Sequence, residues 1–198
     1  MFKKMITLSA FVALFAGASN AAVVFEDDFS SYGATTELNA DSAFFGGNWA
    51  VSGGTVDYLV EGSDFGNLCV GGGSCIDLDG STNDAGLFSS ISFAAGSYVL
   101  DLSLFGSGRG STESVTISLG NWSTTIGSIG STDDASGSWA FSTDGGALTF
   151  QNAGGDNIGA ILSDVTLSAV PLPAGLPLLA TGLGLIGLIG RRRKATKA

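Results

Sequence analysis

Tyr98-Val-Leu-Asp-Leu-Ser-Leu-Phe105 and, after a glycine-rich interval, Val115-Thr-Ile-Ser-Leu119 are the stretches whose reading decides the fold. In the first, Tyr98, Leu100, Leu102 and Leu104 take alternate positions; in the second, Val115, Ile117 and Leu119 do. A period of two sends successive side chains to opposite faces, so each stretch reads as a strand with one side in a core. Val56, Tyr58 and Val60 repeat the pattern. Further strands are expected at 49–51, 76–78, 87–93, 122–126, 139–141, 147–151 and 161–167, with Gly, Ser, Asn and Asp filling the intervals. Between 22 and 169 no segment offers three helical turns with start and stop signals. About nine or ten short strands in one domain predict an antiparallel β-sandwich. A jelly roll is favoured over an immunoglobulin-like arrangement, because the two cysteines lie too close in sequence for a disulfide joining two sheets.

Both ends of the chain read as targeting segments. Lys3-Lys4, an apolar stretch over 5–18 and Ser19-Asn20-Ala21 form the three parts of a secretory signal peptide, residues 1–21, cleaved after Ala21. The expected working domain is therefore 22–169, exported by the Sec machinery. Residues 170–198 begin with Val170-Pro171-Leu172-Pro173-Ala174, continue as an uncharged apolar segment over 174–190, and end in Arg191-Arg192-Arg193-Lys194. Basic residues after an apolar stretch stay on the cytoplasmic side, so this cluster reads as a stop-transfer signal and the domain lies outside. Seventeen residues of helix reach roughly 25 Å, slightly short of a hydrocarbon core of about 30 Å. Pro177 and five glycines weaken the segment further as a lasting anchor.

The motif, its spacing and its position resemble the VPLPA variant of the PEP-CTERM sorting tails of Gram-negative bacteria. The resemblance covers only 170 to about 194. It implies an exosortase-type transpeptidase as partner, transient membrane anchoring through the tail, and release to the cell surface or extracellular matrix.

With the ends set aside, Arg109 is the one basic side chain of the domain against eighteen acids, a net charge of −17. Phosphate binding needs clustered Lys and Arg, so nucleic acid is excluded as a partner. Cys69 and Cys75 flank Val70-Gly-Gly-Gly-Ser74 in a chain bound for an oxidising compartment, and a disulfide between them is expected. No His is present, which removes Ser-His-Asp catalysis and His-based zinc sites. Paired carboxylates, the minimum for glycoside hydrolysis, are all that remains for catalysis, and nothing places two across a cleft. No enzyme is expected and no cofactor is required.

A second resemblance rests on Cys75-Ile-Asp-Leu-Asp-Gly-Ser-Thr-Asn-Asp-Ala-Gly86, on 93–110, and on Gly154-Gly-Asp-Asn-Ile-Gly-Ala-Ile-Leu-Ser-Asp-Val-Thr-Leu167. These segments, about a third of the domain, resemble extracellular galactose-binding-like jelly rolls. Many members bind carbohydrate, and a structural calcium often sits where the terminal strands meet. The resemblance puts Asp164, on the last strand, in a suitable segment, and the acids of the first strand, Glu26 and Asp28, pair with it as the candidate ligands. An alternative metal reading comes from Asp77 and Asp79, which share one side of a strand before an oxygen-rich turn. For a saccharide, Arg109 supplies fixed hydrogen-bond donors, against an internal salt bridge as the alternative, while Trp122 and Trp49 are candidate stacking platforms. The resulting expectation is a non-catalytic surface or matrix protein associating with exopolysaccharide. A structural matrix or biofilm protein without a sugar site is second, and a glycoside hydrolase third.

Overall fold

Thirteen strands run through the domain in the computed structural model, which describes residues 21–171 other than 31, 34–35, 40–42, 61, 64–65 and 83. They are β1 Ala22–Asp27, β2 Thr36–Asn39, β3 Ala43–Phe44, β4 Trp49–Ser52, β5 Thr55–Leu59, β6 Cys75–Asp77 and β7 Leu87–Phe93. The rest are β8 Gly96–Phe105, β9 Thr112–Leu119, β10 Trp122–Gly130, β11 Gly137–Thr143, β12 Gly146–Asn152 and β13 Ile161–Ala169. Residues 21–170 form one unit. Residues 1–20 of the signal peptide, Leu172, Pro173 and Ala174 of the sorting motif, the apolar segment and Arg191 to Lys194 lie outside the described residues. Among the described residues no helix is long and apolar enough to cross a membrane.

The strands form two antiparallel sheets. One has the order β11-β8-β13-β6-β5-β2, with β1 also paired to β13; the other has the order β10-β9-β12-β7-β4-β3. From β7 onward the chain passes repeatedly between sheets, which is how β8 and β9, neighbours in sequence, come to lie in different layers. The alternation explains the sandwich directly. Leu100, Leu102 and Leu104 of β8 meet Val115, Ile117 and Leu119 of β9 in one buried core, joined by Tyr58, Leu148, Phe150, Leu162 and Leu167. Burying a side chain of this size contributes about 1.5–3 kcal/mol, so the two inner faces hold the sheets together.

Two local departures from regular pleating position acidic side chains. The register of β13 against β8 shifts between Leu162 and Asp164. Leu162 and Val165 both remain buried, so Ser163 and Asp164 both leave the inner face. Asp27 turns inward instead: it is buried, and its carboxylate accepts hydrogen bonds from the Phe29 N–H, the Tyr32 hydroxyl and the Trp49 indole.

Candidate functional site

Strand register separates the two ends of the sandwich. At one end Ala22 pairs with Ala169 and Ala169 with Tyr98, so the domain begins and finishes there. At the other, Phe105 pairs with Ile161 and Thr112 with Gly130, and the β8–β9, β10–β11 and β12–β13 loops gather. The groove and buried acids described next belong to this loop end.

The disulfide between Cys69 and Cys75, whose Cα atoms are 5.5 Å apart, ties the β5–β6 loop into this end. Cys69, Cys75, Leu59 and Ile161 form a second small core, against which Leu68 and Phe105 pack. Those two side chains and Val70, 47% exposed, give the apolar side of a groove of about 440 Å³. Ser107, Ser131, Thr132, Asp133 and Asp134 give its polar side. Hydrogen bonds join the loops that supply it: the Gly106 N–H donates to the Asp133 carbonyl at 2.9 Å and the Gly108 N–H to the Ser131 carbonyl at 2.7 Å. Gly106 is required here, because a Cβ would collide with the Gly130 carbonyl oxygen. Asp134 is exposed and accepts the Ser136 N–H at 2.9 Å, and the Ser136 hydroxyl and N–H hold its carboxyl below its usual range.

Arg109 lies in the same loop, but its guanidinium turns to the protein. One nitrogen forms an ion pair with Asp77 and another donates to the Asn157 carbonyl at 3.0 Å. The salt-bridge alternative is therefore the one observed. Asp77 also accepts the N–H groups of Asp79 and Gly159. Burial pushes its carboxyl up to about 7, against the opposing pull of Arg109. Asp79 is likewise raised to about 7, by burial first and then by Asp156 and Glu113.

The two tryptophans expected as platforms are elsewhere. Trp49, 1% exposed, stacks on Phe88 at 4.3 Å and donates its indole N–H to Asp27, because the inward side of β4 faces the core. Trp122 stands at the start of β10, beside the turn that ends β9, whereas Arg109 precedes the start of β9; a strand of eight residues separates them. The half-buried Trp122 ring stacks on Phe141 at 3.9 Å. Arg109, Trp122 and Trp49 are thus not brought together.

Glu26, Asp28 and Asp164 are brought together. They line one cleft of about 440 Å³ with Asp27, Tyr32 and Thr166. Burial, then the charges of Asp28, Glu26 and Asp27, raise the Asp164 carboxyl, while the hydroxyl and N–H of Ser30 lower that of Asp28. The oxygen donors suit a hard cation in kind. Among the described residues, however, no three His, Cys, Asp or Glu side chains are arranged as a finished metal cage.

The groove is the feature that sequence reading missed. Its available signal was Leu68 and Val70 on either side of Cys69 in an otherwise polar, glycine-rich stretch.

No protein-family model and no curated protein matches the chain. Among solved structures, an exo-β-1,3-galactanase from Phanerochaete chrysosporium is similar over 68% of this chain at 22% identity, with a TM-score of 0.38; the chain spans 29% of that protein's length. The CBM22-1 xylan-binding domain from Paenibacillus barcinonensis Xyn10C is similar over 79% of this chain and 99% of its own, at 13% identity and a TM-score of 0.46. The second N-terminal cellulose-binding domain of a β-1,4-glucanase from Cellulomonas fimi is similar over 78% of this chain and 97% of its own, at 13% identity and a TM-score of 0.39.

Proposed function

We propose that this chain is an exported, non-catalytic surface or matrix protein with a jelly-roll domain of galactose-binding-like type that associates with exopolysaccharide through its loop-end groove. The observation that carries the reading is the groove's two-sided chemistry: Leu68, Val70 and Phe105 opposite Ser131, Thr132, Asp133 and Asp134. A pyranose presents an apolar ring face and a hydroxyl edge, and a volume near 440 Å³ falls in the usual range for small-ligand sites. No basic residue lines the groove, so neutral sugars, whose hydroxyls donate to carboxylates, fit better than uronic or sulfated ones.

The test is a glycan array and polysaccharide pull-down comparing the unaltered protein with Val70→Asp and Asp134→Asn, both at exposed positions. Each variant is expected to weaken binding about tenfold or more, the size of one lost charged hydrogen bond or apolar contact. Equal binding by both variants would remove the groove from the account. Absence of binding to every polysaccharide would leave the structural matrix reading; release of reducing ends would instead support the glycoside hydrolase reading.

Delivery belongs to the same proposal and rests on the sequence of the two ends. Sec export, exosortase-type recognition of the 170–174 motif, and stop-transfer by Arg191 to Lys194 bring the domain to the surface or matrix. Replacing Pro171, Pro173 and Ala174 together is expected to leave an unprocessed precursor in the membrane fraction, and normal release of that variant would refute the sorting step. A structural calcium at Glu26, Asp28 and Asp164 completes the reading, supported by their shared cleft.

A further inference from the structure

Asp79 follows Leu78, whose side chain is fully buried in the core and whose N–H donates to the Ala160 carbonyl at 3.0 Å. That anchoring draws the next residue under the surface. Asp79 is 0% exposed, and among the described residues neither carboxylate oxygen has a hydrogen-bond partner; the Asn152 amide exerts only a lesser pull on it. A buried carboxylate whose oxygens accept no well-formed hydrogen bond and pair with no cation is among the costliest arrangements in a protein interior.

Its neighbours increase the cost. Glu113, at the inner end of β9, is buried and uses one oxygen to accept the Asn152 amide at 3.0 Å. Asp156, from the exposed 153–157 stretch, also acts on Asp79 by like-charge repulsion. The positive charge closest at hand, Arg109, is already paired with Asp77. Acidic neighbours alone would describe an ordinary solvated surface. The orphaned, wholly buried carboxylate among them is what points to a ligand. A proton shared with a neighbouring carboxylate would neutralise Asp79 alone, whereas a hard cation would satisfy both of its oxygens and offset the charges of Glu113 and Asp156 at once.

We propose that Asp79, with Glu113 and Asp156, binds a divalent hard cation of the calcium class at the loop end of the sandwich, and that Asp77 serves Arg109 and is not a ligand. Calcium takes six to eight oxygens and accepts carbonyls, amides and water beside carboxylates. A site of this kind therefore does not require three side chains already in contact, and none are. The site joins the turn after β6, strand β9 and the β12–β13 loop. It stands independently of saccharide binding and of the Glu26, Asp28 and Asp164 cleft.

The test is thermal unfolding of the full-length protein in EDTA and in calcium, alongside Asp79→Asn, Asp164→Asn and Asp156→Asn. Calcium at about a hundredfold excess over its dissociation constant is expected to raise the wild-type melting temperature by roughly 5–10 °C. Asp164→Asn keeps a calcium shift. Asp79→Asn loses the contribution of its site and, in EDTA, melts above the wild type, because the uncompensated charge is gone. Asp156→Asn, changed at an exposed position, binds calcium about tenfold more weakly. The proposal is overturned if the wild type shows no calcium shift, if Asp79→Asn keeps the full shift, or if Asp164→Asn alone abolishes it.

Discussion

Trp49→Ala is expected to destabilise the domain by about 3–5 kcal/mol, the range for truncating a large aromatic in a packed core. Trp49 fits between Phe88, stacked at 4.3 Å and 5°, and Phe25, edge-on at 5.3 Å. Its truncation removes contacts to two strands that reach it from opposite sheets, β1 and β7. It also removes the indole donor from Asp27, which is buried and, among the described residues, keeps the Phe29 N–H and the Tyr32 hydroxyl. Urea unfolding monitored by circular dichroism measures the loss. Saccharide binding per folded molecule is expected to be unchanged, since the ring is sealed from solvent. A destabilisation below about 1 kcal/mol would be incompatible with the packing, and a selective loss of binding would restore the ring as a platform.

The misreading of Trp49 shows where sequence information ends. Trp49 and Val51 alternate as a strand should, and that much is local. Whether the inward face meets Phe25 and Phe88 or a ligand depends on partners about twenty-four residues before and thirty-nine after it. The same limit separates other features. The Cys69–Cys75 bond was legible because only five glycine-rich residues lie between the two cysteines. Strands β8 and β9 were legible because each carries its own period of two. Strands β2 and β3 were not: Thr-Glu-Leu-Asn and Ala-Phe are too short to show a period, and pairing to β5 and β4 creates them. Glu26 and Asp28 were paired with Asp164 as acids of the first and last strands, with a family likeness behind Asp164, whereas their shared cleft depends on the pairing of those strands and on the bulge at Ser163. For Asp79 the sequence showed only a side of a strand shared with Asp77 before an oxygen-rich turn. Its burial follows from Leu78 locking into the core, which no local pattern reveals.

Arg109→Met is the other large expected effect, a loss of about 2–4 kcal/mol at pH 8, somewhat below the range for a fully buried pair because the Arg side chain is 28% exposed. Methionine keeps much of the stem but leaves Asp77, 3% exposed, with two N–H donors and no cation. The pH dependence follows from the direction of the shift. Burial already holds the Asp77 carboxyl up to about 7, above its ordinary 3.8, with Arg109 opposing; without Arg109 it rises further. A raised folded-state value means that the folded protein binds the proton more tightly than the unfolded one, so stability is lost as pH climbs through that interval. The variant should therefore approach the wild type near pH 5 and fall furthest behind at pH 8. Asp77→Asn added to Arg109→Met removes the stranded charge and is expected to recover most of the loss, with a coupling energy that a double-mutant cycle isolates. A pH-independent deficit would assign the cost to lost packing of the Arg stem, and a normal melting curve with impaired saccharide binding would move Arg109 from the scaffold to the ligand.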